Sequence, residues 1–560
     1  MDFKPQKSVE WYDPKQLANT GIKAVISGIF GNFNDKREIQ AALYQQEDSK
    51  AHDYSQERDE IWIDYISDTG DGFDATFTMA TLLAKEELEV DGQKIPRGKL
   101  LIMGGDQVYP VATREEYRNR LQGPYATALP ADNTDNNGDR APHLFAIPGN
   151  HDWYDGLTTF IKVFCQQRWI GNWRTKQKRS YFALKLPHNV WLFGIDVQLN
   201  SDVDFNQIQY FENVLKEEVK EGGKIILCTA EPTWVYSTSK KSDANNNLEF
   251  FEKKLCAINE STTQPYAKQI LTLAGDWHHY ARYENENGGM KITAGGGGAF
   301  LHPTQNLPEH IGDIFGGDLN LKSRFPSSGE SKKLLFNNFK FPFANFKMSL
   351  VLGAIYALVG WFLFLSFGAG VNPNLGLVPL FKEILFNPGI FLLLILVIFG
   401  LGAFAETTPC NPKFKSSFPY ALAGYIHGIG QAKMMLFSFL LFVKINPYLE
   451  PLSQLKAMSI VIAGCLVVGF LLGGFLFGLY LIFSNLVLGN HDNEAYSSLK
   501  WEGYKNFLRL HVTKDEVTIY PIGVKNVSHW QPSGKNAKPP FTANKPIGYQ
   551  LIEKPITLRF

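Results

Sequence analysis

Residues 144–152 read LFAIPGNHD, a short apolar run that stops at Pro-Gly and then delivers an amide, an imidazole and a carboxylate in succession. An apolar run of this length ending in a Gly-bearing turn describes a buried strand and its exit loop. The same grammar recurs on both sides. The run at 61–66 is followed by Ser-Asp68-Thr-Gly70-Asp71-Gly, and the run at 99–103 by Gly-Gly-Asp106-Gln-Val-Tyr109. Further on, 224–228 leads into Thr-Ala230-Glu231-Pro232, and 269–273 into Ala-Gly275-Asp276-Trp-His278-His279. Strands are also expected at 23–29, 190–195 and 291–294, with a helical pattern at 75–88. The alternation points to layered α/β structure, in which ligands collect beyond the carboxyl ends of the strands.

Oxygen-rich ligands with one or two imidazoles suit Mn²⁺, Fe or Zn²⁺. Glycines beside them let the backbone turn tightly and approach a phosphate. One Asp can bridge two metals, and a pair roughly 3.5–4 Å apart can clamp both the attacking and the leaving oxygen of a displacement. Taken singly, each acid reads better as a turn or helix-capping residue than as a ligand. Their recurrence at successive strand ends makes coincidence a poor account.

In this order the motifs resemble the calcineurin-like metallophosphoesterases, and more narrowly the purple-acid-phosphatase branch. The carriers are Asp68-Thr69-Gly70 for DxG, Gly105-Asp106-Gln107-Val108-Tyr109 for GDxxY, and Gly149-Asn150-His151-Asp152 for GNH[DE]. The likeness covers roughly residues 20–300, and residues 292–300 (ITAGGGGAF) are similar to that family's late glycine-rich strand. It implies a β-sandwich flanked by helices. It also implies that Asp68, Asp106 and His278 hold a first metal, with Tyr109 joining them as it does beside Fe³⁺ in that branch. Asp106 would bridge, Asn150 would hold the second metal, and His151 would contact the phosphate and protonate the leaving oxygen. Asp152 beside His151 is expected to keep the imidazole cationic.

Two departures fall on the second metal. The fourth motif has Glu231 where a histidine is usual, and the fifth has Asp276 in place of the first histidine of GHxH. Both keep a ligand-capable carboxylate. The expectation is a two-metal centre of divalent or mixed-valence transition ions, harder and more anionic than usual, favouring Mn or Fe with Zn as an alternative. Around it, Asp71 and Asp74 either approach the site or cap the following helix. His279 sits behind the ligands or simply packs. Arg282 meets a phosphate or faces solvent, and His302 lines the cleft. Trp153, Tyr154 and Trp277 either stack on an organic leaving group or pack.

The rest of the chain bounds this reading. Lys plus Arg and Asp plus Glu both number 55 in 560 residues, so no global field draws nucleic acid. The cysteines Cys165, Cys228, Cys256, Cys410 and Cys465 show no paired spacing, which argues against a disulfide framework or a Cys zinc site. No apolar run marks a cleaved signal near the start. Residues 1–345 read as the phosphoesterase domain, 346–490 as lipid-facing, and 491–560 as a soluble tail packing on the first domain. About four spans are expected, at 349–367, 389–405, 419–443 and 457–488, forming an all-α bundle. The third is interrupted by His427, Gln431 and Lys433; His427 and Gln431 share a helix face, as a polar seam or a functional pair. Lys322, Arg324, Lys332, Lys333, Lys340 and Lys347 precede the first span and place the soluble domain on the cytoplasmic side. The expected activity is hydrolysis of a phosphate ester, on a lipid-linked or membrane-proximal substrate. The alternatives are a scaffold or sensor without turnover, and a transporter using His427 or Gln431.

Overall fold

The strand Ile61–Ile66 (IWIDYI) alternates branched and aromatic residues and is buried along most of its length, yet it carries Asp64 in its middle. A buried carboxylate needs a partner. It comes from the far end of the chain: Arg509 donates from Nε to Asp64 Oδ1 (2.7 Å) and from Nη2 to Oδ2 (3.0 Å). The third guanidinium donor goes to the Ile95 carbonyl (3.0 Å), and the Gly98 N–H completes the carboxylate (3.0 Å). The strand Lys505–Val512 is thereby fixed antiparallel to Ile61–Ile66, with Leu510 opposite Ile63.

The computed structural model describes residues 3–30, 37, 50–56, 59–131, 140–197, 203–236, 245–255, 267–312, 314–368, 375–408, 413–414, 416–445, 453–534 and 537–560. The chain forms two compact units. One comprises Met1–Val9, Asn19–Gly329 and Lys500–Phe560; the other comprises Glu10–Ala18 and Glu330–Leu499.

The first unit is mixed α/β. One sheet runs Ile61–Ile66, Leu100–Met103, His143–Ala146 in parallel and gains the C-terminal hairpin Lys505–Val512 and Glu516–Val524 on its other side. The second sheet has Val190–Gly194, Gly223–Cys228 and Ala267–Ala274 in parallel, then Met290–Ala294. The sheets lie face to face, with the Phe145 ring 5.1 Å from that of Phe182. Helices cover the outer faces. Phe73–Ala84 buries Met79, Leu82 and Leu83 against Phe507 and Ile522. On the other side, Phe205–Glu217 buries Phe211 and Val214 against Phe193 and Leu227. Each such fully buried side chain contributes about 1.5–3 kcal/mol. Because the central strands of each sheet run parallel, their carboxyl ends gather loops at one edge.

Two expected elements differ. Residues 23–29, read as a strand because they form a short apolar run, continue the helix Pro14–Phe30, which starts where Asp13 Oδ1 accepts the Lys15 N–H (2.9 Å). The helix read at 75–88 ends at Ala84. Asp91 and Gly92 both take positive φ (49° and 76°), so Glu87–Val90 folds back on Gln93–Pro96 as a hairpin.

The second unit is helical. Phe346–Phe367, Phe418–Lys444 and Gln454–Leu488 are long and apolar enough to cross a membrane. The region expected as a span at 389–405 is Pro388–Phe404, preceded by Val378–Phe386 at a bend of 98°, so the pair makes a fourth candidate if it is one broken span. The break falls at Asn387-Pro388, where proline cannot continue the preceding helix.

The Asp64–Arg509 pair predicts a stability effect. Arg509→Met strands a buried carboxylate and should cost about 3–5 kcal/mol, read as a lower unfolding midpoint in denaturant.

Candidate metal centre

Three strand-end acids hold backbone conformations that L-residues rarely adopt: Asp68 has φ 57°, Asp106 49° and Asp276 64°. Such geometry costs of order 1–3 kcal/mol each and persists only when neighbours impose it. Here the loops impose it on each other. The Asp68 N–H bonds the Gly105 carbonyl (2.9 Å), the Thr69 N–H bonds that of Asp106 (3.0 Å), and the Tyr109 N–H bonds that of Gly70 (2.9 Å). The glycine-rich stretch lies against the same turn, with the Gly297 N–H on the Ser67 carbonyl (2.9 Å). A Cβ on Gly297 would sit 2.3 Å from that carbonyl oxygen, so only glycine allows the approach.

The result is a cluster centred on a phenol. The Tyr109 hydroxyl lies 2.9 Å from Asp68 Oδ1, 3.2 Å from Asp106 Oδ2 and 3.0 Å from His278 Nε2. All four side chains are buried. Ser67 Oγ donates to Asp68 Oδ2 (2.6 Å), and the Asp276 N–H donates to the same carboxylate (3.0 Å). His278 Nδ1 is held by the Phe300 carbonyl (2.7 Å), which leaves Nε2 toward the cluster. The His302 ring stacks on His278 at 4.1 Å, placing His302 beside the cluster. Asp106 Oδ1 accepts the His151 N–H (2.9 Å), joining the second and third loops.

The electrostatics are those of buried carboxyls crowded together. Burial pushes Asp68 well above the usual carboxylate range, and Asp276 adds to this. Burial does the same to Asp106, helped by Asp68, Asp152 and Asp276. Asp276 rises to about 6 through burial, opposed by the Tyr236 hydroxyl, which donates to its Oδ2 (2.9 Å). The buried ammonium of Lys505 donates to the Ala299 carbonyl, and burial lowers its pKa to about 8.

The residues fit a metal ion on three grounds. The donor set of carboxylates, phenol, imidazole and amide is that of hard transition ions. Asp68, Asp106 and His278 turn polar atoms toward one buried point at the Tyr109 hydroxyl, within 2.9, 3.2 and 3.0 Å of it. Asn150 Oδ1 is buried without a hydrogen-bond partner, an acceptor awaiting a donor or a cation. A cation would reverse the penalty on each carboxylate. Among the described residues, no group of three or more His, Cys, Asp and Glu side chains by itself has metal-site geometry. Tyr109 is what links the set.

Several expectations change. Asp152 does not serve His151. Its Oδ2 accepts the Gly149 N–H (2.9 Å) and the Gln107 N–H (3.1 Å), and its Oδ1 accepts the Tyr117 hydroxyl. It knots the third loop to the second. His151 is therefore not held cationic; burial lowers it to about 4, and Nδ1 lies 2.8 Å from the Pro110 carbonyl. Asp71 accepts the Val9 N–H (2.7 Å), and Asp74 accepts the Trp530 N–H (3.0 Å), so both secure chain segments and neither caps the helix, whose N-cap is Gly72. Arg282 is taken by Glu553 (3.0 and 2.8 Å) and Glu284 (2.9 Å), which removes it as a phosphate contact. His279 is fully buried, and burial lowers it to about 3. Trp153 is committed to Asp196 (3.1 Å), and Trp277 to the Tyr236 hydroxyl. Glu231 lies just past the strand Gly223–Cys228 and is partly exposed. Ser67, Tyr236 and Lys505 escaped the sequence reading. Ser67 alone had a signal, its place directly before Asp68.

No protein-family model matches the sequence, and no curated protein does. Among solved structures, the chain is similar to GAP50, the anchor in the inner membrane complex of Plasmodium, at 13% identity and a TM-score of 0.32, over 47% of this chain and 78% of that one. It is similar to PhoD at 13% identity and a TM-score of 0.26, over 43% of this chain and 58% of that one. It is similar to the purple acid phosphatase PPD1 of yellow lupin (Lupinus luteus) seeds at 11% identity and a TM-score of 0.25, over 47% and 48%. At these scores the likenesses transfer neither residues nor activity.

The interlocked loops predict that Gly149→Ala is not silent. Its Cβ would stand 2.1 Å from Asp106 Oδ1, which must move. A loss of about 1–3 kcal/mol in thermal unfolding is expected.

Proposed function

We propose that the chain is a membrane-anchored, metal-dependent phosphoesterase. The observation that carries this is the buried meeting of Asp68, Asp106 and His278 on the Tyr109 hydroxyl. These four would hold one ion, Asp106 being the residue shared with a second. Asn150, Glu231 and Asp276 would supply that second ion. Bound ions of the Mn or Fe class, or Zn, would activate water and screen phosphoryl charge. The protein's own part is orientation and proton handling. With Nδ1 on the Pro110 carbonyl, His151 bears its proton there and presents Nε2 as the lone-pair nitrogen, suited to hydrogen-bonding a phosphate hydroxyl or relaying a proton at the leaving oxygen. The apolar helices make a lipid-linked or membrane-proximal phosphoester the favoured substrate class. The basic residues before the first span favour a cytoplasmic location for the soluble unit.

Metal analysis of the purified protein with an aryl phosphate assay tests the reading. Wild type should carry transition metal and turn over, and Asp106→Asn should lose on the order of 10²–10³ in kcat. His151→Gln should lose roughly 10²–10⁴ on alkyl phosphates and less on aryl phosphates, whose leaving groups need no proton. A protein without metal or turnover under any supplement would reject the enzyme. A second reading, a phosphoesterase-like scaffold or sensor, draws on Asp276, whose Oδ2 is occupied by the Tyr236 hydroxyl (2.9 Å). Tyr236→Phe separates the two: turnover should persist or rise if Asp276 serves as a ligand.

A further inference from the structure

The helical unit holds a polar cluster that hydrolysis does not use. Gln431, in Phe418–Lys444, has its amide fully committed. Its Oε1 accepts the Tyr356 hydroxyl (2.6 Å), and its Nε2 donates to the Gly473 carbonyl (2.9 Å) and lies 3.2 Å from His427 Nε2. His427 Nε2 must therefore be the acceptor, which puts its proton on Nδ1. That Nδ1 is buried and has no hydrogen-bond partner.

Three more such atoms belong to the same helical unit. The His427 ring stacks on Tyr480 at 4.4 Å, and Tyr480 meets the His491 ring at 5.5 Å. The Tyr480 hydroxyl, His491 Nδ1 and Asn490 Oδ1 are likewise buried and without partners. His491 Nε2 is on the Phe404 carbonyl (3.0 Å), so its proton is there and Nδ1 is an acceptor. The four side chains are only 4% (His427), 5% (Tyr480), 1% (His491) and 2% (Asn490) exposed. The inventory is one donor, one hydroxyl able to do both, and two acceptors. That is complementary to water, not to a cation, which a protonated Nδ1 would repel. Leaving such groups unmet costs each about 1–3 kcal/mol. Two π-helical turns, Gly469–Gly473 and Ser484–Leu488, bracket the segment that carries Tyr480. Such turns are frequent at functional positions, and ionisable residues within apolar spans carry the same implication.

We propose that His427, Tyr480, His491 and Asn490 form an internal water site within the helical bundle, joining the two imidazoles through hydrogen-bonded water. Water there accepts from His427 Nδ1–H and donates to His491 Nδ1, so each neutral ring keeps the single proton it holds.

Deuterium exchange at the histidine C2 carbons of the full-length protein in detergent, read by mass spectrometry, tests this. The exposed His310 and the fully buried His279 serve as internal references. His427 and His491 should exchange within an order of magnitude of His310, and Tyr480→Phe should slow both. If both are as slow as His279 in the wild type, there is no water site. If Tyr480→Phe leaves their exchange unchanged, the hydroxyl is not part of it. The wild-type arm decides alone if the variant fails to fold.

Discussion

Placing Asp68 and Asp106 against one buried phenol, with Asp276 donating its backbone amide to the first, is the constraint around which the α/β unit is arranged. Like charges gathered in a place without water raise one another's cost of ionisation, and among the described residues no guanidinium is bonded to either carboxylate. Burial with like-charged neighbours favours the protonated form of each carboxyl. The left-handed backbone at all three acids expresses the same tension in conformational terms. Loops that would relax alone are held because each closes hydrogen bonds to the next.

The parallel direction of the central strands makes this feasible. Ile61–Ile66, Leu100–Met103 and His143–Ala146 end together, and Gly223–Cys228 and Ala267–Ala274 end together on the facing sheet. The C-terminal segment is integral to this arrangement. It supplies the strand beside Ile61–Ile66, the guanidinium that neutralises Asp64, and the buried ammonium of Lys505 behind the glycine-rich stretch. The sheet unit therefore stays incomplete until the hairpin of residues 505–524 is in place.

The helical unit solves a different solvation problem. Helices long and apolar enough to cross a membrane have to satisfy polar groups internally, and Gln431 does so with both polar atoms of its amide. Around His427 that saturation stops, since the Tyr480 hydroxyl and the Nδ1 atoms of His427 and His491 are buried without hydrogen-bond partners.

The order of the motifs was legible because strand ends and glycine turns are local events: an apolar run must stop somewhere, and its exit turn is shaped by neighbours in sequence. Asp68, Asp106, Tyr109 and His278 could be read that way, as could the apolar spans, which depend only on length and composition. Partnership could not. Asp152 looked like an aid to His151 because the two are adjacent, but one helical step turns its carboxylate to the Gly149 and Gln107 amides instead. Arg282 looked available until Glu553 met it, and the short apolar run at 23–29 took the helical state of the segment before it. By itself the sequence determined which chemistries the chain carries and in what order. Only the tertiary structure decided which groups neutralise which, because charge pairing acts through space between residues hundreds of positions apart.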